Sequence, residues 1–247
     1  MTRHDEAARV ISDAVDGARP RRPADADDPD IPVAATVVVV RDGTDGAEVL
    51  VIQRPDRGSF AGAWVFPGGK LDDADRESAD EPEEAVVRRA AVRETWEETG
   101  LTLAPDSLVP LSIWDPPPGI PLRIRTWFFV AAASGVDLVL SEHEAVAAEW
   151  VRPGRLLERH ARGEATLYPP TWVTLHGFEH EVSAEGALGA ARLGGLRRFD
   201  SVARTGPNGP FMLWPEDAEF DPDAPRAGTA RHRLEVGALP WTYIRTD

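Results

Sequence analysis

Glu94, Glu97 and Glu98 fall at i, i+3 and i+4 of a run that ends at Gly100, and this spacing most constrains what the chain can become. On an α-helix those positions share one face within one turn, so three carboxylates converge and repel. A fold that holds them there must supply counter-charge, solvent or a bound cation. Pro82 suits a first helical position and Gly100 a C-terminal cap, so the pattern predicts a helix over 82–99. Upstream, Trp64-Val65-Phe66 is a short apolar run stopped by the turn Pro67-Gly68-Gly69. Any three acids on a helix are most often a solvated face. Beside a Gly-Gly turn they are also a set of clustered hard oxygen ligands, which is what Mg²⁺ or Mn²⁺ needs.

Charge sharpens that reading. The formal net charge is −15, and residues 71–98 alone carry eleven acids against four bases. Such a balance argues against duplex nucleic acid or an anionic membrane as the main partner, and a polyphosphate ligand would need local cations. Cysteine is absent, which excludes disulfides, thiolate metal sites and cysteine nucleophiles. No apolar run approaches a membrane span and the first thirty residues lack a hydrophobic signal core, so the expected compartment is the cytoplasm.

The 247 residues divide into three parts by composition. Residues 1–30 mix Arg, Asp, Ala and Pro around a short helix expected over 5–15, and read as a mobile tail. Residues 31–182 form the main domain. Strands are expected over 32–40 and 48–53, joined by turn residues 42–46, and again over 126–131 and 147–151; helices follow over 156–162 and 171–180. The segment 115–119, Asp-Pro-Pro-Pro-Gly, reads as a loop. Residues 183–247 loosen into a Gly/Ala-rich helix and short apolar strands, an extension suited to covering a cleft, forming a homodimer interface or packing behind the sheet.

The stretch Phe66-Pro-Gly-Gly-Lys-Leu-Asp72 with Arg93-Glu-Thr-Trp-Glu-Glu-Thr-Gly-Leu101 resembles the signature box of the Nudix hydrolases. Arg93, Glu94, Glu97, Glu98, Gly100 and Leu101 stand in the expected places. Thr95 stands where the family prefers an aliphatic residue, and Trp96 is expected to supply the missing packing. Asp75 replaces the usual Glu, with five residues between it and Gly69, and ten extra residues separate it from Arg93. An elongated box also occurs in a Nudix subgroup that resembles the peroxisomal coenzyme A diphosphatase. Two further pieces point the same way: Trp114-Asp-Pro ahead of Arg125-Thr-Trp-Phe-Phe129, and Tyr168-Pro-Pro-Thr-Trp172.

The resemblance implies an α/β fold, a Nudix α/β/α sandwich with a mixed β-sheet, here with a C-terminal extension. It implies that Glu94, Glu97 and Glu98, with the Gly69 carbonyl, bind Mg²⁺ or Mn²⁺ in an exposed cleft, and that Arg93 orients one carboxylate. The reaction would be metal-assisted hydrolysis of a diphosphate in a small-molecule nucleoside diphosphate derivative, with coenzyme A or acyl-CoA as the best-motivated substrate. Two other readings stay open: an ADP-ribose or nucleotide-sugar diphosphatase, and a non-catalytic nucleotide sensor. Glu98, Glu97 or Glu144 would be the general base. Arg54, at the end of a strand, and Arg125 are candidates for phosphate contact, and Trp114 for stacking on the substrate. Each has a plainer alternative as a surface or core residue.

Overall fold

In the computed structural model the described residues are 12, 15–26, 28–57, 60–120, 123–133, 138–141, 145–223 and 228–246. The valine run at the start of the main domain becomes β1 (Val33–Gly43), whose residues 34–40 are all buried. A strand without an alternating polar face needs cover on both sides. Val37 and Val39 face a helix, α1 (Glu83–Thr99), through Val87, Ala90 and Ala91, while Val38 and Val40 belong to a second core on the opposite face.

The remaining strands of the large sheet are β2 (Gly46–Gln53), β3 (Trp64–Val65), β4 (Gly68–Lys70), β5 (Val109–Asp115), β6 (Arg125–Ala132), β7 (Ala147–Val151) and β8 (Arg197–Asp200). Its main path runs β3-β2-β1-β6-β5-β8, with β4 also paired to β1 and β7 to β2. β1 and β6 are parallel, as are β5 and β8, and the other pairs are antiparallel. Helices α2 (Pro153–Ala161), α3 (Pro169–Gly177) and α4 (Ala184–Gly194) contribute to the core opposite α1. The fold is therefore the mixed α/β/α arrangement expected.

Several expectations change. Trp114 and Asp115 do not open a loop but close β5, a strand that the following prolines masked. Trp96 does not pack in place of an aliphatic residue: it is 57 % exposed, and Thr95 is itself fully buried with its hydroxyl donating to the Ala91 carbonyl. The 182/183 boundary is not a packing boundary, since α4 packs against β5 and β6 and β8 joins the large sheet. Four further strands, β9 (Val202–Gly206), β10 (Gly209–Leu213), β11 (Arg231–Glu235) and β12 (Thr242–Thr246), form a separate antiparallel sheet. Its Trp214, Leu234 and Trp241 enter the same core as Val38 and Val40.

The expected helix over 5–15 lies largely outside the described residues. Residues 18–26 and 28 are tied to the body by polar contacts. The Arg19 N–H donates to the Pro118 carbonyl, and Arg123 pairs with Asp28. Arg21, with a side chain only 9 % exposed, donates through one nitrogen to the carbonyls of Asp115, Pro116 and Ser201. Composition could not reveal this, because one arginine in a socket of carbonyls replaces the hydrophobic anchor. Arg21→Ala is expected to lower the unfolding free energy by about 2 kcal/mol, since it strands buried acceptors. Urea denaturation checks this, and an unchanged midpoint would mean that the segment adds nothing to stability.

Candidate active site

β4 pairs with the first half of β1, Gly68 opposite Thr36 and Gly69 opposite Ala35, and this lays the Gly-Gly turn beside the last turns of α1. The turn is held by Thr36, whose hydroxyl donates to the Pro67 carbonyl at 2.6 Å. Gly68 has a φ of +152°, and a Cβ there would lie 2.3 Å from the Ala35 carbonyl oxygen. A Cβ on Gly69 would lie within 2.5 Å of the Glu94 carboxylate. The two glycines thus let backbone and carboxylates meet at a distance that no other residue permits.

Each carboxylate has its own setting. Glu98 is not in an exposed cleft as expected: it is 3 % exposed, and its Oε2 accepts from the Gly68 N–H at 2.7 Å. Glu94 and Glu97 both accept from one nitrogen of Arg93, at 2.9 and 3.0 Å. Arg93 turns its other edge to Asp75, donating from Nε at 3.0 Å and from the second terminal nitrogen at 2.8 Å, and that same nitrogen also reaches the Lys70 carbonyl. One guanidinium therefore holds three carboxylates and a strand carbonyl.

Asp75 ends a short 3-10 turn (Asp73–Asp75) that is closed at both sides: Asp72 accepts from Ala74, and Asp75 accepts from the Asp72 N–H. Burial opposes ionisation of Asp75, but the Arg93 hydrogen bonds, the Asp72 N–H and the charges of Arg93 and Arg89 outweigh it and hold the carboxyl below its ordinary value. Residues 76–82 and the first turns of α1 fill the interval between Asp75 and Arg93. Arg89 staples them, donating to the Asp75 carbonyl at 2.7 Å and to Glu81. The signal for this turn was in the sequence as Asp72-x-x-Asp75, a capping pattern in miniature that the reading of the box passed over.

The other candidates separate. Arg54 follows β2, half-buried, with an Nε that has no hydrogen-bond partner among the described residues. Arg125 donates to the buried Asp115 carboxylate at 3.0 Å and to the Ala26 carbonyl, so its charge is already matched. Trp114 is 3 % exposed and stacks on Phe199 at 4.0 Å, which places its ring in the core and not against a ligand. Glu144 lies outside the described residues; Ser141, three residues earlier, donates its N–H to the Glu98 carbonyl at 3.3 Å.

Among the described residues no three acidic or His side chains are gathered closely enough to hold a metal. The reason is visible, because Arg93 draws Glu94 and Glu97 while Gly68 takes Glu98. The donor chemistry still fits a small hard divalent cation: carboxylate oxygens beside a glycine whose missing Cβ leaves their approach open.

The NUDIX domain family matches residues 31–170. Among solved structures, a NUDIX hydrolase from Alicyclobacillus acidocaldarius is 28 % identical, aligned over 65 % of this chain and 96 % of its own, with a TM-score of 0.57. A MutT NUDIX hydrolase from Burkholderia pseudomallei is 26 % identical over 59 % of this chain and 95 % of its own, with a TM-score of 0.44. None of the curated proteins matches. A family match spanning more than half the sequence, on the residues that the Asp75–Arg93 contact draws together, makes this chain a member of the Nudix hydrolase family.

Proposed function

We propose that the protein hydrolyses the diphosphate linkage of a nucleoside diphosphate joined to another group, with Mg²⁺ or Mn²⁺ as cofactor and coenzyme A or an acyl-CoA as substrate. The observation that carries this reading is the Arg93 node, in which Asp75, Glu94 and Glu97 meet one guanidinium across the ten-residue insertion. The insertion also supports the coenzyme A assignment, because an elongated box also occurs in the Nudix subgroup that resembles the peroxisomal coenzyme A diphosphatase. The catalytic unit is residues 31–182, with α4 and β8 as its structural continuation.

Glu94, Glu97 and Glu98, with the Gly69 carbonyl, are the groups that would hold the cation. A bound divalent ion would offset the negative charge of the diphosphate and acidify a water. Water adds to phosphorus, the bridging P–O bond breaks, and a carboxylate accepts the water proton, leaving two phosphate monoesters. Glu97 and Glu98 are our candidates for that acceptor, with Glu144 as the third. Glu97 is the more accessible of the pair, with a side chain 38 % exposed. Arg93 positions the carboxylates and Asp75 positions Arg93. Arg54, whose Nε is unpaired among the described residues, is the cation that we assign to a substrate phosphate.

The test is turnover by the purified chain with Mg²⁺ or Mn²⁺ on coenzyme A, acyl-CoA, ADP-ribose, NADH and nucleotide sugars. Coenzyme A or its thioesters are expected to be cleaved fastest. Preference for ADP-ribose or a nucleotide sugar would move the assignment, and no product from any substrate would leave the sensor reading.

Three variants probe the residues. Glu97→Gln is expected to lower kcat by roughly three orders of magnitude at unchanged stability. Glu98→Gln is the less clean variant, because it also weakens a buried bond to Gly68. Asp75→Asn is expected to cost about 2 kcal/mol of stability at pH 7, the scale of a hydrogen bond to a charged group. A carboxyl depressed in the folded state stabilises fully above its unfolded value, 3.8, and ceases to do so as pH falls through its lower folded value. The gap between wild type and Asp75→Asn in urea midpoints should therefore be full near neutrality and narrow below about pH 4. A gap that stays constant down to about pH 2.5 would show that Asp75 does not carry the charge assigned to it.

A further inference from the structure

A cavity of about 340 Å³ opens between α2, α3 and the region of β12, on the face of the sheet opposite α1. Its walls are aromatic: Trp172, His176, Trp241 and Tyr243, with Glu158 and Glu179 also facing the space. The rings of Trp172 and Trp241 lie 6.3 Å apart at 47°, and His176 sits 5.4 Å from Tyr243 at 67°, so the ring system bends around a concave surface. Neither Arg nor Lys lines it among the described residues, in a chain that has 27 of them.

Glu158 and Glu179 are the carboxylates of the lining, while Arg197 and Arg245 act on the Tyr243 hydroxyl from outside it. Glu179 is held against the His176 Nδ1 at 3.3 Å. Glu158 makes no ion pair among the described residues, and the neighbouring Arg162 is spent in two bonds on Glu164, at 2.8 and 2.9 Å. The Tyr243 wall is fixed from behind. Burial keeps the His232 imidazole below its ordinary pKa, so its Nδ1 proton goes to Glu216 at 2.7 Å and Nε2 accepts from the Tyr243 hydroxyl at 2.8 Å. A wall anchored this way does not need ordering when a ligand enters.

Aromatic rings and carboxylates both attract cations, and Glu158 and Glu179 together disfavour a diphosphate at this cavity. We propose that this cavity is a binding site for a small organic ammonium ion, separate from the diphosphate site and independent of the hydrolase reading. It gives residues 240–243 of the C-terminal extension a role in ligand binding.

The test uses the full purified chain and calorimetric titration with choline, tetramethylammonium and n-butylammonium, set against 3,3-dimethyl-1-butanol, the uncharged isostere of choline. At least one ammonium ion is expected to bind saturably. For choline, the neutral isostere should bind roughly tenfold more weakly. The double variant Glu158→Gln/Glu179→Gln should weaken ammonium binding by roughly tenfold at an unchanged thermal midpoint, since both residues lie outside the buried core. No saturable binding of any of the three, equal binding of the isostere, or unaltered binding by the double variant would overturn the proposal. Competitive displacement by AMP would overturn it too, because a nucleotide would then be the occupant.

Discussion

The contact between Arg93 and Asp75 is the constraint on which the candidate site depends. Glu94 and Glu97 on adjacent turns of one helix repel each other, and without a metal their positions need a fixed positive charge. Arg93 provides it at hydrogen-bond distance to both. An arginine left to two glutamates on its own helix could swing with them. The bidentate grip of Asp75, itself only 4 % exposed and locked by its own capping turn, anchors the guanidinium to β4 and the loop before α1. The raised pKa of Arg93 has the same origin, with the Asp75 hydrogen bond as its largest cause. Charge management runs the length of α1: Arg88 pairs with Glu84, Arg89 with Glu81, Arg93 with Asp75, Glu94 and Glu97. The acidic segment is a helix laced by its few arginines.

A second polar node does a different job. Asp115, 1 % exposed at the end of β5, has four guanidiniums within 4 Å, from Arg21, Arg123, Arg125 and Arg198. One comes from the N-terminal segment and one from β8, so a single buried carboxylate gathers both ends of the chain at one edge of the sheet. Only Arg125 reaches it at true hydrogen-bond distance; the other three stand at 3.6 to 3.7 Å. Spacings of that size are longer than direct hydrogen bonds, and Arg198, with a side chain 45 % exposed, stays open to solvent.

The two nodes explain what was legible in the sequence. The central strands, the box helix and its glycine cap could be read because local spacing encodes them: the valine run at 33–40, and Gly100 after Thr99. The convergence of Glu94, Glu97 and Arg93 could be read for the same reason. The fates of Trp114, Arg125 and Arg21 could not, because each is decided by a partner on another element of the fold. Phe199 stacks on Trp114 from the C-terminal extension, and Asp115 competes for Arg125 with any ligand. An arginine beside a strand looks the same whether it faces phosphate or a buried aspartate. Thr95 shows a third case: its hydroxyl returns to the Ala91 carbonyl, so a polar residue fills a core position without leaving an unpaired group.

The insertion shows why a motif's spacing stands in for something more basic. Eighteen positions separate Asp75 from Arg93, yet the two meet in a bidentate pair, since residues 76–82 and the N-terminal turns of α1 lead the chain back to Asp75. Lengthening a helix at its N-terminal end leaves its C-terminal turns, and the carboxylates on them, where they were. Insertion anywhere between Glu94 and Glu98 would instead rotate the carboxylates off their shared face by about 100° per residue. The two halves of the box therefore differ in tolerance: the first needs only that its acid reach Arg93, while the second is bound residue by residue to the helical repeat.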